Sequence, residues 1–517
     1  MKRITIISFG VMFVVCAFIS ACRKDDSSFA TNKLPDLSFG YAPGEALAVY
    51  QFNTLQLDPK INYDGADKSK FNYTWMINPD PRDTTFITIG ESEQLDYEVS
   101  FTPNTGTFYH TLKLYVTSID NKLQAIHYWR LTILNNIGEG LVIATTGDNL
   151  TTDFSHLMSP EVTTDYTEIS IKKNILSGVN GSGINGLVHD LYFANVRGGN
   201  RVYALTNDNM YAYNTLNYSF VGDKNELFVT PPANLNPGSF YYCYQNDVYV
   251  GNDMIYFGWF ATAAKIGVQS LYPEPIPGII ALNPNSGNTG TYDPAFRIHY
   301  YDEVNEKFGY IQGPFAFSDK AQYFSPNEEH NGVNAGNYPG KINVAAGTSV
   351  DRGFLHLLKD KTTGAYELLV FDGGINNYGE PYIAPKAIKK IDLAGAPEIA
   401  NATQFVMADD QNVMFYATAN KIYAVIFAGA TAIVEERYTV PAGESITTLD
   451  IYRQYGYPNQ PSYISTNNKQ LILSTYNGTE GKVRLLPLIN LGAGNINTAE
   501  IKTFNGFDKV LSIVPQK

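Results

Sequence analysis

Histidine side chains can bind metal ions or take part in catalysis, and this sequence has seven of them. None of the seven forms a His-x-His or His-Glu-x-x-His pair, which are the local patterns of a zinc site. We therefore predict no metal site and no cofactor, although distant loops could still bring ligands together. The seven are His110, His127, His156, His189, His299, His330 and His356.

Adjacent carboxylates are the next candidates, since a glycan hydrolase needs two acids at a fixed separation. Neighbours on a strand point to opposite faces, so adjacency alone supports neither catalytic role. We interpret these residues as solvated turn or edge residues and predict no catalytic residue. The pairs are Glu328-Glu329, Asp409-Asp410 and Glu435-Glu436.

A glycine pattern, Gly-x-Gly-x-x-Gly, occurs at Gly181, Gly183 and Gly186. A dinucleotide site needs a buried strand before this pattern and a helix opening after it. The surrounding stretch is rich in Gly, Asn and Ser and shows neither. We predict a loop here.

Aromatic residues in turn-rich segments form the candidate ligand-binding surface. Aromatic faces beside amides and carboxylates suit a sugar or an extended peptide. The alternative is that tyrosines simply cover strand edges in a chain with 37 Tyr and 29 Phe. The candidates are Trp259, Tyr300, Tyr301, Tyr378, Tyr382, Tyr455 and Tyr457.

The composition limits both the fold and the partners. The 517 residues carry 37 Lys+Arg against 50 Asp+Glu, and a net charge of −13 argues against a nucleic-acid partner. Three Cys exclude a disulfide scaffold. The many aromatics, with 43 Gly and 26 Pro, favour strands and turns, so we predict an all-β protein of two or more domains.

The N-terminus has the pattern of a secretory signal. Lys2 and Arg3 precede an apolar run of about 16 residues, shorter than the roughly 20 needed to span a bilayer. The segment 18–22, Phe-Ile-Ser-Ala-Cys, resembles a bacterial lipobox. The resemblance implies a signal peptide at 1–21, lipidation of Cys22 and attachment to the membrane through that anchor only. A plain secretory signal is the alternative.

Residues 34–137 have the pattern of a small β-sandwich. The run 71–77 alternates apolar with other residues around Trp75, which we interpret as a core residue. Later runs at 112–117 and 125–133 predict two further strands. A central-strand Trp followed by a Gly-aromatic strand and a final hairpin resembles PKD and other immunoglobulin-like modules.

Residues 138–517 contain recurring hairpins with Asn- and Asp-rich turns, which predict a β-propeller. Seven blades fit this length best, at about 54 residues each, and six or eight remain open. A second set of sandwiches is the competing interpretation. The hairpins join 201–206 to 210–213, 247–250 to 254–257, 404–408 to 413–416, and 463–465 to 471–474.

The order of these parts carries a further resemblance. After Cys22, the tract Arg23-Lys24-Asp25-Asp26-Ser27-Ser28 resembles the acidic export signal of Bacteroidetes surface lipoproteins, and we predict a tether at 22–33. Lipobox, acidic tract, sandwich and a long β-rich region resemble the PKD-like lipoproteins found beside SusC/SusD-type nutrient importers. The resemblance implies a non-catalytic accessory protein on the outer face of the outer membrane that captures an oligomeric peptide or glycan. Alternatives are a surface adhesion or structural lipoprotein, and a propeller glycan lyase or hydrolase.

Lipidation of Cys22 is directly testable. Radiolabelled palmitate is expected to enter the wild-type protein and not the Cys22→Ala variant, because only the thiol and new amino group of Cys22 would carry acyl chains. Autoradiography of membrane fractions measures this. Equal label in both proteins would contradict the anchor.

Overall fold

The structure is a computed structural model, and its description covers most of the chain after residue 35. The described residues are 36–64, 70–104, 108–119, 123–194, 200–235, 238–243, 246–251, 255–259, 287–289, 297–312, 322–349, 353–375, 381–454 and 464–516. Within these residues, no helix is both long enough and apolar enough to cross a membrane.

Nine strands form the N-terminal part, in one five-stranded sheet and two strand pairs. The large sheet has the order β2-β9-β8-β5-β6, and the pairs are β1-β4 and β3-β7. The strands are β1 (Leu37–Phe39), β2 (Glu45–Tyr50), β3 (Thr54–Leu57), β4 (Ile61–Tyr63), β5 (Phe71–Ile77), β6 (Ile87–Gly90), β7 (Leu95–Glu98), β8 (His110–Ser118) and β9 (Gln124–Leu134).

Two tryptophans fill the space between the large sheet and the strand pairs. Trp75 and Trp129 are fully buried, and their stacked rings lie 5.4 Å apart between centroids. Leu55 of β3 and Leu95 of β7 pack into the same core. Strand β8 alternates buried with half-buried residues, as a strand with one face on a core does. The prediction that Trp75 is a core residue is confirmed.

The described residues after position 137 form strands joined by turns and loops, with two short helices. The strands that open it are β10 (Gly140–Thr146), β11 (Thr151–Met158), β12 (Ser170–Lys172) and β13 (Ile184–Asn185). The helices are α1 (Ile175–Asn180) and α2 (Lys224–Leu227), and single 3₁₀ turns lie at Ile399–Asn401, Leu491–Ala493 and Thr498–Glu500.

Six consecutive sheets follow, each traced in sequence order from its first strand outward. They are β14 (Asp190–Ala194), β15 (Arg201–Leu205), β16 (Met210–Asn214), β17 (Phe220–Asp223); β18 (Gly238–Cys243), β19 (Asn246–Gly251), β20 (Ile255–Trp259); β21 (Gly287–Thr289), β22 (Arg297–Asp302), β23 (Lys307–Gln312), β24 (Gln322–Tyr323); β25 (Lys341–Ser349), β26 (Gly353–Asp360), β27 (Tyr366–Asp372), β28 (Lys386–Asp392); β29 (Gln404–Met407), β30 (Val413–Ala417), β31 (Lys421–Ile426), β32 (Ile433–Thr439); and β33 (Ser445–Ile451), β34 (Gln470–Tyr476), β35 (Gly481–Ile489), β36 (Asn495–Ile496) with β37 (Lys502–Phe507) on β35.

The last strand, β38 (Lys509–Gln516), completes a seventh sheet within the described residues, in the order β12-β11-β10-β38. The inner strands of the seven sheets contact one another in a closed ring, in the order β14, β18, β21, β25, β29, β33 and β38. We call these seven sheets the ring, and the arrangement is propeller-like. The predicted all-β, propeller-like fold is confirmed.

The ring closes where the C-terminal strand pairs with the strand that first enters it. Residues 140–146 of β10 pair antiparallel with residues 509–516 of β38. At the entry, Gly140 has a φ of 136° and a Cβ there would lie 2.3 Å from the carbonyl oxygen of Leu157, so only glycine fits. The buried Gln516 holds this end, donating to the Ile137 carbonyl at 2.7 Å and accepting from the Tyr218 hydroxyl at 2.6 Å.

The N-terminal sheets contact the ring through a tight turn at residues 51–53 and through a hydrogen bond from the Asn217 side chain to the Thr102 hydroxyl at 3.2 Å. Gln51 is fully buried and its side-chain amide donates to the carbonyl of Leu216 at 2.8 Å. Phe52, with a φ of 59°, packs against the core between the first and last sheets of the ring. Lys172 of β12 donates to the Phe52 carbonyl at 3.2 Å and to the Asn53 side chain. Buried side chains and hydrogen bonds on both sides therefore fix the junction.

Most predicted hairpins are confirmed, and one is wrong. The pairings of β15 with β16, β19 with β20 and β29 with β30 follow the predicted turns. Residues 465–468, predicted as the end of a strand and its turn, form a turn only. The strand that precedes β34 and pairs with it is β33, which lies outside the predicted hairpins.

The ring closure predicts a stability effect at Gln516. Replacing it with alanine leaves the Ile137 carbonyl and the Tyr218 hydroxyl unpaired inside the protein, so Gln516→Ala is expected to lower the free energy of unfolding by about 2–4 kcal/mol. Urea unfolding followed by circular dichroism measures this. Gln124→Ala, at an exposed position of β9, is the control and is expected to change it by less than about 0.5 kcal/mol. Equal effects would contradict the assigned role of Gln516.

Candidate ligand-binding site

One face of the ring is formed by the connections that follow the first and third strands of each sheet. Neighbouring strands are antiparallel and every sheet is traced outward, so these connections lie at the same end of the ring. The junction residues Leu216 and Asn217 belong to the connection between β16 and β17. We call this end the sandwich face.

The predicted aromatic residues divide between the surface and the core. Tyr382, between β27 and β28, is 48% exposed, and its hydroxyl lies 3.1 Å from that of Tyr310. Tyr310 lies near the end of β23, so the two hydroxyls meet at the sandwich face. Trp259 is the last residue of β20 and pairs with Asn246. Cys22, Tyr378, Tyr455 and Tyr457 lie outside the described residues.

The assignment of Tyr300 and Tyr301 to a binding surface requires correction. Both rings are fully buried, and the Tyr301 hydroxyl donates to the carbonyl of Tyr338 at 2.8 Å. Strand β22 is covered on both faces by the neighbouring sheets, so adjacent residues are both inside. Neither ring presents a face to a ligand.

Asp409 and Arg453 form a charged pair at the sandwich face. Asp409 follows β29 and Arg453 follows β33, so they come from neighbouring sheets of the ring. Asp409 Oδ2 lies 3.4 Å from Arg453 Nε, and the arginine also donates to the Met407 carbonyl. The Asp409 side chain is only 10% exposed, and its Oδ1 atom has no hydrogen-bond partner among the described residues. A buried carboxylate oxygen without a partner is a vacant acceptor.

Asp190 and Asp450 add two carboxylates on inner strands. Asp190 begins β14 and Asp450 lies in β33, so they flank β38 from its two sides. Burial raises the pKa of Asp190 to about 7, against hydrogen bonds from Phe240 and Ser239 that favour the charged form, and the negative charge of Asp450 raises it further. Burial also raises the pKa of Asp450, with Arg453 opposing and Asp409 adding to the effect.

These four residues define the candidate site, which we call the ring carboxylate site: Asp190, Asp409, Asp450 and Arg453. A carboxyl that titrates near neutral pH can give or take a proton, and a vacant acceptor can receive an amide N–H or a hydroxyl. In the described part of the chain, no group of three or more His, Cys, Asp or Glu side chains is arranged to hold a metal ion.

The structure changes the interpretation of one adjacent acidic pair. Asp410 is exposed, as predicted, but Asp409 is mostly buried and paired with Arg453. Asp190 and Asp450 were not predicted as site residues, because 260 positions separate them and no local motif surrounds either. A run of small and polar residues on an inner strand was the only available signal.

Two distant histidines meet, but inside the core. His299 Nδ1 lies 2.7 Å from His356 Nε2, and both rings are fully buried among Phe308, Phe354 and Phe371. Burial lowers the pKa of His356 to about 3. The pair is therefore a buried hydrogen-bonded contact between β22 and β26, with no histidine face open to a ligand.

Comparisons with known proteins find similarity in fold only. No protein-family model and no curated protein matches the sequence. Similar solved structures include a quinonprotein alcohol dehydrogenase-like protein from Bacteroides thetaiotaomicron, at 12% identity over 93% of this chain and 99% of that chain, with a TM-score of 0.48. AztD from Citrobacter koseri is 8% identical over 86% and 98%, with a TM-score of 0.36. Kluyveromyces lactis Hsv2 is 9% identical over 74% and 97%, with a TM-score of 0.33. At this level of similarity, none of them indicates a function for this chain.

The pKa of Asp190 predicts a pH dependence of stability. The folded pKa of about 7 exceeds the unfolded value of about 3.9, so the folded state binds more protons between these values and loses stability as the pH rises through about 7. Asp190→Asn removes this dependence, so the variant is expected to be more stable relative to wild type at pH 8 than at pH 4.5. Urea unfolding at both pH values measures the difference.

The control for this measurement is Asp208→Asn, at an exposed turn residue between β15 and β16. Its stability relative to wild type is expected to be the same at both pH values. An Asp190→Asn variant that behaves like this control would show that Asp190 titrates normally in the folded protein.

Proposed function

We propose that this protein is a non-catalytic lipoprotein on the outer surface of the outer membrane. In this proposal it is an accessory component of a SusC/SusD-like importer and captures an oligomeric nutrient, either peptide or glycan. Cys22 anchors it, residues 34–137 are a PKD-like module, and residues 138–517 are a propeller for which the seven sheets of the ring are the full set of blades.

The observation that carries the binding role is the vacant acceptor on Asp409. Its Oδ1, for which the described residues supply no hydrogen-bond partner, lies beside the cationic Arg453, and the exposed ring of Tyr382 lies on the same face, in the sheet next to that of Asp409. Three neighbouring sheets thus contribute an acceptor, a donor and an aromatic ring. Backbone amides and sugar hydroxyls are both donors and acceptors, so either kind of oligomer suits this combination.

A position on the cell surface allows such a site to serve nutrient uptake. Capture next to an importer raises the local concentration of the oligomer at the pore without any chemical step. Weak binding is sufficient, because the captured oligomer has to be released again into the importer.

Association with the importer is the decisive test. Affinity-tagged full-length protein, purified from membranes in mild detergent, is expected to bring down a SusC/SusD-like pair identified by mass spectrometry. A second tagged surface lipoprotein of the same cells serves as the control and is expected not to bring down that pair. Absence of the pair from both preparations would refute the accessory role.

The raised pKa of Asp190 favours one second candidate, a hydrolase or lyase acting on the same oligomers. An acid with a pKa near 7 is suited to general acid–base catalysis. Cleavage within a panel of glycans and peptides that is lost in Asp190→Asn would favour this candidate over simple capture.

A further inference from the structure

An open groove lies on the N-terminal sheets, separate from the ring carboxylate site. Its volume is about 610 Å³, and it runs between the loop after β5 and the start of β8. The side chains that matter most for its chemistry are Arg82, Asp83, Phe86, Phe108 and Lys113. We call it the sandwich groove.

Cations lie over aromatic rings throughout the groove and at its edge. Such pairs hold a charge in place at the surface while the ring beneath stays half-exposed. Phe108 is 51% exposed and Tyr109 40%. The pairs are Lys113 over Phe86 at 3.5 Å, Arg82 over Phe108 at 5.4 Å and Arg130 over Tyr109 at 5.0 Å, measured to the ring centroid.

These three cations have no carboxylate partner within the part of the chain that the structure describes. Among the described residues, no Asp or Glu oxygen lies within 4.0 Å of Arg82, Lys113 or Arg130, although ion pairs are common on the ring. The one acid that lines the groove, Asp83, accepts hydrogen bonds from the backbone and hydroxyl of Thr85. The groove therefore carries an excess of positive charge in a chain whose net charge is −13.

Hydrogen bonds hold the loop that carries Arg82 in a defined conformation. Asn78 is buried, and its side-chain amide donates to the carbonyls of Asp80 and Asp83, at 2.9 and 3.2 Å. The Asn78 carbonyl in turn lies 2.7 Å from Nδ1 of the buried His110. The groove is preorganised, so a ligand would not have to order it.

Apolar side chains continue from the groove across the outer face of the large sheet. Tyr128 pairs directly with Lys113 and is 42% exposed, and Ile126 pairs with Tyr115 and is 55% exposed. Exposed Tyr, Ile and Arg side chains in one patch are typical of protein–protein contact surfaces.

We propose that the sandwich groove and the adjoining sheet face dock an acidic, extended segment of a partner protein. Unpaired guanidinium and ammonium groups bind the carboxylates of that segment, and Tyr128 and Ile126 pack against its apolar side chains. A polypeptide suits the surface better than an acidic glycan, because cations already cover the ring faces on which a sugar would stack. This docking does not depend on the ring carboxylate site.

Poly-L-glutamate is the probe, and polygalacturonate is the glycan counterpart. Isothermal titration with full-length protein at low salt is expected to show binding of poly-L-glutamate that weakens as salt is added. The double variant Arg82→Gln/Lys113→Gln is expected to bind at least about tenfold more weakly. Both side chains are outside the core, and thermal unfolding of the variant verifies its fold.

The matched control removes two cations that lie over tyrosine side chains in the seven sheets of the ring. Lys307 lies 3.8 Å from the centroid of Tyr323, and Lys359 lies 5.5 Å from that of Tyr366. Lys307→Gln/Lys359→Gln makes the same change in net charge and is expected to keep wild-type affinity. An equal loss in both double variants would show a general charge effect and overturn the proposal.

The remaining outcomes are also decisive. Absence of poly-L-glutamate binding, or full binding by Arg82→Gln/Lys113→Gln, overturns the docking site. Polygalacturonate binding as tight as or tighter than poly-L-glutamate overturns the assignment of a polypeptide partner. None of these results bears on the importer association, which is measured separately.

Discussion

The pairing of β38 with β10 is the interaction on which the rest of the structure depends. It joins the end of the chain to residues 140–146, so the sheet that closes the ring is built from both ends of the β-rich region. Each of the other six sheets of the ring is a local meander that can pair its strands without distant partners. The closing sheet alone requires the whole region to be in place, and Gln516 ties it to the entry residue Ile137.

Ring closure also creates the candidate site. Asp190 and Asp450 lie on the two inner strands that flank β38, so their charges interact only when that strand is in position. Arg453 follows the same strand as Asp450, and Asp409 comes from the neighbouring sheet that begins with β29. In an open chain Asp190 and Asp450 would be solvated and would lose the raised pKa, because burial between inner strands is its main cause in both.

The sequence was most informative where a local rule applied. Asn- and Asp-rich turns between apolar runs predicted three hairpins correctly, because turn chemistry depends on adjacent residues. Turn chemistry does not indicate which faces of a strand are buried. In β22, neighbouring sheets cover both faces, so Tyr300 and Tyr301 are both buried. Local patterns also missed β33, because its run contains Ser, Thr and Asp and is identified as a strand only by its pairing with β34. The ring carboxylate site depends on contacts across 260 positions, which no local pattern encodes.

The junction between the N-terminal sheets and the ring holds the sandwich groove at a fixed position relative to the ring carboxylate site. Gln51 is buried against Leu216, and Phe52 is part of the core of the ring, so the N-terminal sheets cannot turn freely about residues 135–139. A segment docked in the cationic sandwich groove is therefore held at a constant position relative to the carboxylates of the ring. Fixed geometry removes the entropy that a flexible linker would cost on binding at both places. The two sites also favour different ligands, because an acidic segment that suits Arg82 and Lys113 is poorly matched to a site with three carboxyl groups around Arg453.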